Sequence, residues 1–269
     1  MNAPTDTLSP NPVFARVDGG WLPAPQSMGP FGGMHGGAVS GLLTGELEQL
    51  AKTVGHGPAV SANVYLLRPA PSTIVQTRPQ PLREGARVAV FENELWANEK
   101  LQAKASMCFL KAVPEGKDIG NMPTAIQGSE TGTPLLDPAK LPHWHFPRQS
   151  TAQSYLNTVD IRDDGQGKIW MQAIQSLFSE ATPFASTISF ADFSTLLSVV
   201  ATGERPDAGG WPNADLSLHL SRLPVGPWIG LRTRSDWFAD GRGVTESEIS
   251  DVYGRIGRST QAVVLAPAP

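Results

Sequence analysis

Apolar residues recur at helical spacing over Gly36–Lys52, where Val39, Leu42, Leu43, Leu47 and Leu50 share one face. A strand is predicted ahead of this helix, around Val13–Leu22, with a glycine-rich turn between them. Strands are predicted after it at Val60–Arg68, Ile74–Leu82, Arg87–Ala97 and Lys100–Lys111, split by turn signals such as Glu84-Gly85 and Asn98-Glu99. The second half repeats this order. Strands at Tyr155–Arg162 and Lys168–Ser176 lead into a helical run, Ala191–Thr202, with Phe193, Leu196, Leu197 and Val200 on one face. Strands then follow at Ala214–Leu220, Trp228–Asp236, Gly243–Ser250 and Arg258–Leu265.

The halves overlay at a nearly constant offset. Gly37 and Asp192, Arg87 and Arg242, and Leu110 and Leu265 each stand 155 apart, and Arg68 and Arg222 stand 154 apart. A repeat of this length signals domain duplication. A helix followed by an antiparallel meander, twice over, defines an α+β architecture. Between the halves, Pro114–Pro147 holds six prolines and four glycines without periodic pattern. The expected division is therefore residues 1–113, a connector at 114–150, and 151–269.

Glycines refine the first helix. Gly33, Gly37, Gly41 and Gly45 form one line along it, and each helix-interior glycine costs about 1 kcal/mol against alanine. Something must approach that face closely, and a curved sheet is the expected partner. Glu46 and Glu48 in the same segment rule out a membrane glycine dimer.

Composition narrows the function classes. The 269-residue chain carries net charge −4 and no basic patch, so nucleic acid is excluded as a partner. One cysteine, Cys108 in an apolar run, excludes a disulfide framework and suits a reducing compartment. The polar, proline-rich start lacks the pattern of a secretory leader, and no apolar run reaches membrane-spanning length. A cytoplasmic protein is the expectation.

Several chemistries fall away. Ser40 lacks nucleophile-elbow spacing, and Gly32–Gly37 has the wrong spacing for a phosphate loop or dinucleotide fingerprint. His143 and His145 in the connector lack further ligands, so no metal site is assigned. In Ala214–Ser221, alternation places Leu216, Leu218 and Leu220 on one face and Asp215, Ser217 and His219 on the other. A carboxylate beside an apolar channel suits a general base, whereas the bland reading is a solvated strand-end residue. Gln261 offers an amide that can hold water through donor and acceptor, against a plain satisfied edge residue. Gly33, His35, Gly36 and Gly37 stand at a helix start whose unpaired amides suit a carbonyl oxygen, though the same glycines also serve packing. Asp192 reads as a helix N-cap more than as a base.

Short motifs then fall into a recognisable order. They are Phe31-Gly32-Gly33, Leu67-Arg68-Pro69, Val159-Asp160-Ile161-Arg162, Ile169-Trp170 and Ala191-Asp192-Phe193, followed by Asp215, Arg242-Gly243, Tyr253-Gly254-Arg255 and Gln261. Order and spacing resemble the type II (TesB-like) acyl-CoA thioesterases across nearly the whole chain except the connector. The resemblance implies a double hot-dog fold, two tandem units of a long helix wrapped by a curved antiparallel sheet. It implies hydrolysis of acyl-CoA without covalent intermediate or cofactor, by an Asp, a Thr or Ser and a Gln around one water. These roles fall on Asp215 and Gln261, with Ser235 or Asp236 near the hydroxyl position; Gly33, His35, Gly36 and Gly37 are the expected substrate-binding residues from their place at the helix start, where they are similar to the His-Gly-Gly stretch of single-domain hot-dog thioesterases. Leu216 and Ala262 replace the family's His and Glu. A non-catalytic acyl-thioester binding protein is the competing reading. A hydratase ranks last, because its Asp-x-Asn-Pro-x-His type motif is missing. One active site per chain is expected, since Val60, Ser61 and Ser106, which overlay Asp215 and Gln261, include no general base. Open sheet edges imply a homodimer or larger homo-oligomer.

Overall fold

The computed structural model describes residues 11–114, 116–117, 133–144, 152–180, 182–202 and 210–266. The first half comprises β1 (Phe14–Val17), β2 (Gly20–Pro23), α1 (Gly36–Thr53), β3 (Ala59–Leu66), β4 (Gln76–Thr77), β5 (Gln80–Glu84), β6 (Val88–Ala97) and β7 (Lys100–Leu110). The second comprises β8 (Val159–Asp163), β9 (Ile169–Ala173), α2 (Pro183–Ala191), α3 (Ser194–Thr202), β10 (Asp215–Leu220), β11 (Ile229–Trp237), β12 (Arg242–Asp251) and β13 (Gly254–Val264). Two strands expected as single pieces are each divided. Val13–Leu22 folds back on itself as β1–β2 around Gly19, whose φ of 87° suits only glycine. Ile74–Leu82 becomes β4 and β5, both on β6, with β5 set along it by a register shift.

Both halves share one antiparallel sheet, ordered β4-β6-β7-β3-β10-β13-β12-β11-β9-β8 with β5 beside β6. The halves meet where β3 pairs β10. That junction has the register of a two-fold interface. Asn63 pairs Ser217, Tyr65 pairs Asp215 and Ser61 pairs His219, and each residue is related by the 154 offset to its own partner or to its partner's mirror. The Ser217 hydroxyl donates to Asn63 Oδ1 at 2.8 Å on the axis. The two halves thus pair as two copies do in an isologous dimer.

The helical segment of the second half corrects the overlay. It starts at Pro183, a residue preorganised for a first helical turn, not at Ala191. It breaks after Ala191 and resumes at Ser194, with a 45° bend. Asp192 is thus the C-cap of α2, nine residues past the start of the helix. It is no N-cap and no counterpart of Gly37.

The glycine line also faces elsewhere than expected. A Cβ at Gly37 would lie 2.3 Å from the Ser189 carbonyl oxygen, one at Gly41 would lie 2.6 Å from Leu177, and one at Gly45 would lie 2.3 Å from the Phe178 ring. The line packs on α2 and the segment leading into it, not on the concave sheet. The opposite face of α1, with Leu42, Leu43 and Leu47, is fully buried and covers the sheet's core, where Phe91, Leu95, Met107 and Phe109 lie. The pairing of early α1 with late α2, and of Glu48 with Phe184 and Ala185, makes the helices antiparallel. No single helix among the described residues is long and apolar enough to cross a membrane.

Glu48 ties the helix pair at its far end. Its carboxyl oxygens accept the Phe184 N–H at 3.3 Å and the Ala185 N–H at 3.0 Å, at the start of α2. Burial outweighs these hydrogen bonds and pushes its pKa up to about 7.

Two measurements check this packing. Gly45→Ala should lower stability in urea by about 1–3 kcal/mol, because overpacking against Phe178 outweighs the gain in helix propensity; an unchanged or higher midpoint would mean that the helices separate freely. For Glu48, the folded state binds its proton more tightly than the unfolded chain does. Its contribution to stability is therefore full below the usual glutamate range and is lost as pH rises toward 7. Melting temperatures of wild type and Glu48→Gln should diverge in the variant's favour between pH 5 and 8, whereas a constant gap would contradict the assignment.

Candidate active site

The helix break sets Asp192 against the start of α1. Its side chain is nearly closed to solvent, yet three groups contact or flank it from the other elements. Asn213 Nδ2, just ahead of β10, donates to Asp192 Oδ1 at 2.9 Å and to its backbone carbonyl at 3.1 Å. His35 Nδ1 lies 3.0 Å from Asp192 Oδ2. Gly36 supplies empty space, since a Cβ there would come within 2.8 Å of both carboxylate oxygens. The positive end of the α1 dipole favours a carboxylate at this point.

His35 is the N-cap of α1, and its Nδ1 also accepts the Gly37 N–H at 3.0 Å. One ring nitrogen cannot accept from Gly37 and donate to an ionised Asp192 together. The Gly37 N–H and the Asp192 carboxylate are therefore alternative partners of Nδ1. The imidazole is held by aromatic rings, with Phe193 at 4.6 Å and Tyr155 at 5.1 Å between centroids. Burial, together with the nearby Asp192 charge, raises the Tyr155 phenol well above its usual range, so that group stays protonated.

Behind Asp192 stands a polar cluster. Thr195 Oγ1 lies 2.9 Å from Asn213 Oδ1, 3.0 Å from Gln261 Oε1 and 3.2 Å from Thr245 Oγ1. Asn213 and Gln261 are both fixed in orientation, since Asn213 Nδ2 serves Asp192 and Gln261 Nε2 donates to the Ala191 carbonyl at 2.8 Å. Two amide oxygens therefore converge on a hydroxyl with a single hydrogen. The centre is short of donors.

The residues expected from sequence separate into two groups. Gln261 lies within the cluster, on the buried face of β13. Ser235 touches its edge, with Oγ 2.7 Å from Thr245 Oγ1. His35, Gly36 and Gly37 surround Asp192, while Gly33 packs on the Pro69–Ala70 backbone. Asp215 is not brought to Gln261. It lies on the outer face of the sheet with its carboxylate accepting the Ala262 N–H at 2.7 Å, while the neighbouring Leu216 and the Gln261 side chain face the helices. Asp236 is exposed and pairs with Arg234 at 3.0 Å. Asp192 takes the place expected of Asp215. Asn213, Thr195 and Thr245 were not anticipated, although a Thr three residues after an Asp inside an apolar helix marks a polar strip on one face. His143 lies 3.3 Å from Asp160 and His145 falls outside the described residues. No group of three metal-binding side chains occurs among the described residues.

The chain matches the acyl-CoA thioesterase N-terminal domain over residues 24–111 and the acyl-CoA thioesterase C-terminal domain over residues 130–265. It belongs to the acyl-CoA thioesterase family and is a thioester hydrolase. Among solved structures, a protein assigned as a thioesterase from Novosphingobium aromaticivorans is 22% identical with a TM-score of 0.70, covering 95% of this chain and 99% of its own. The TesB protein of Mycobacterium avium subspecies paratuberculosis is 16% identical with a TM-score of 0.62, over 94% and 96% of the two chains. A hot-dog protein of unknown function from Alicyclobacillus acidocaldarius is 15% identical with a TM-score of 0.63, over 95% and 96%. These similarities establish the double hot-dog fold. No match is found among curated proteins.

Because Gln261 and Asn213 each hold a carbonyl freed by the helix break, their loss should be felt in stability. Gln261→Ala and Asn213→Ala should each cost about 1–3 kcal/mol in chemical denaturation, while Asp215→Ala stays within about 0.5 kcal/mol of wild type. Equal effects at all three positions would contradict this assignment.

Proposed function

We propose that this protein hydrolyses an acyl-CoA thioester with Asp192 as the base that activates water. The observation that carries this reading is the donor shortage. Asn213 Oδ1 and Gln261 Oε1 compete for the one hydrogen of Thr195, beside a buried carboxylate. A water placed there has two hydrogens to give, one to an amide oxygen and one to Asp192, which aims its lone pair away from the cluster.

The start of α1 completes the chemistry. A thioester carbonyl set over Gly36 and Gly37 would direct its oxygen at the helix N-terminus, where the Gly37 N–H, exchanged from His35 Nδ1 to the oxygen, and the dipole stabilise an oxyanion. The water oxygen bonds to the carbonyl carbon while its proton passes to Asp192. Collapse of the tetrahedral adduct then breaks the C–S bond, and the Asp192 proton leaves with the thiolate as free thiol.

Thiol release from acyl-CoA substrates tests the assignment. Asp192→Asn should lower kcat by about 10²–10⁴-fold, the usual worth of a general base. Gly36→Ala should also impair turnover, because its methyl displaces the carboxylate. Asp215→Asn should retain wild-type rates. If Asp215→Asn is crippled while Asp192→Asn is not, the outer-face carboxylate is the base and this reading fails.

A further inference from the structure

A cleft opens at the end of the helix pair away from Asp192, about 770 Å³ in volume, within the size range of small-molecule sites. Lys52 on its wall stands sixteen residues from Gly36 along α1, roughly 24 Å at helical rise, so the cleft is distinct from the Asp192 centre. It is lined by Phe178 and the segment leading into α2, the last turns of α1 and the β1–β2 hairpin.

This end of the helix pair is arranged differently. The N–H groups of Phe184 and Ala185 at the start of α2 are occupied by Glu48. Glu46 is buried on the floor and accepts from Arg16 at 2.9 Å, Trp21 Nε1 at 2.8 Å and Asn93 at 3.1 Å. Both carboxylates are committed to these hydrogen bonds.

A different recognition chemistry remains. Four charges face the cleft: Arg16 from β1, Glu46 and Lys52 from α1, and Glu180 from the segment before α2. Glu46 is paired with Arg16 on the floor, so Lys52 is the cation of the cleft without an ionic partner among the described residues. Arg16 stacks over Trp21 at 4.8 Å and commits only one N–H to Glu46, which leaves most of its five donors available. Leu50 and Phe178 supply an apolar wall.

We propose that this cleft binds a free aliphatic carboxylate, with the acid group between Arg16 and Lys52 and the chain along Leu50 and Phe178. The acid released by thioester hydrolysis belongs to this class; only that link, and not the binding itself, rests on the proposed function. Calorimetric titration of the full chain with decanoate below its micelle concentration tests the site without requiring turnover. Saturable binding is expected in wild type and in Asp192→Asn, at least tenfold weaker in Lys52→Glu, and abolished in Leu50→Trp, which fills the cleft. Both substituted positions lie outside the catalytic cluster, and hydrolysis by Lys52→Glu in the absence of added acid should be normal. Decanol should not bind measurably. Failure of wild type to bind decanoate up to millimolar concentration, binding that survives both Lys52→Glu and Leu50→Trp, or equal binding of decanol would overturn the proposal.

Discussion

The close approach of α1 and α2 is the constraint on which the rest of this structure depends. Alanine at Gly37, Gly41 or Gly45 would collide with the second half, so the chain accepts the helix-propensity cost of glycine along this line. The close approach has an electrostatic consequence. Each helix places a carboxylate at the N-terminal end of the other: Asp192 at the start of α1, Glu48 at the start of α2. The macrodipoles favour both. Two helices packed through ordinary side chains would stand too far apart for either contact.

Duplication explains why the two ends could diverge. A symmetric dimer must keep both centres identical, because one sequence serves both. In a fused chain the β3–β10 junction preserves the two-fold register, yet each half mutates alone. At one end, glycine at position 36 leaves space for the Asp192 carboxylate; at the other, the longer Glu48 side chain reaches the amides and fills them. The inner surfaces also differ. The first half packs α1 on Phe91, Leu95, Met107 and Phe109, whereas the second half packs α3 on Thr245, Ser247 and Gln261 through hydroxyl and amide contacts.

Much of the fold was legible in the sequence because hydrophobic periodicity reports burial directly. The order of strands, the long first helix and the repeat all rest on that signal. The start of the second helical segment was not legible, because residues 184–191 are buried nearly all round and show no polar face to give a period. Missing Pro183 moved the helix start to Ala191 and made Asp192 look like a cap. The Asp215 reading failed differently. Alternation in β10 already set Asp215 opposite Leu216 and Leu218, and the apolar face is the one the helices cover. A residue opposite the core face cannot meet a glutamine on it. Gln261 was reached through the resemblance, because Ser259 and Thr260 beside it leave no pattern that singles it out, while Thr195 and Asn213 resemble any polar residue beside a helix end.

The break after Ala191 joins folding to the make-up of the candidate site. A continuous helix would satisfy the carbonyls of Ala191 and Asp192 internally and carry the Asp192 side chain past α1. Breaking it leaves those carbonyls needing donors in a buried place, where an unmet group costs about 1–3 kcal/mol. Gln261 and Ser194 serve the Ala191 carbonyl, and Asn213 serves that of Asp192. In turning their amide N–H groups to the backbone, Gln261 and Asn213 have no choice but to present their oxygens to Thr195. The excess of acceptors around Thr195 is therefore a consequence of how the bent helix is held. Removing either amide would loosen the bend that sets Asp192 against α1.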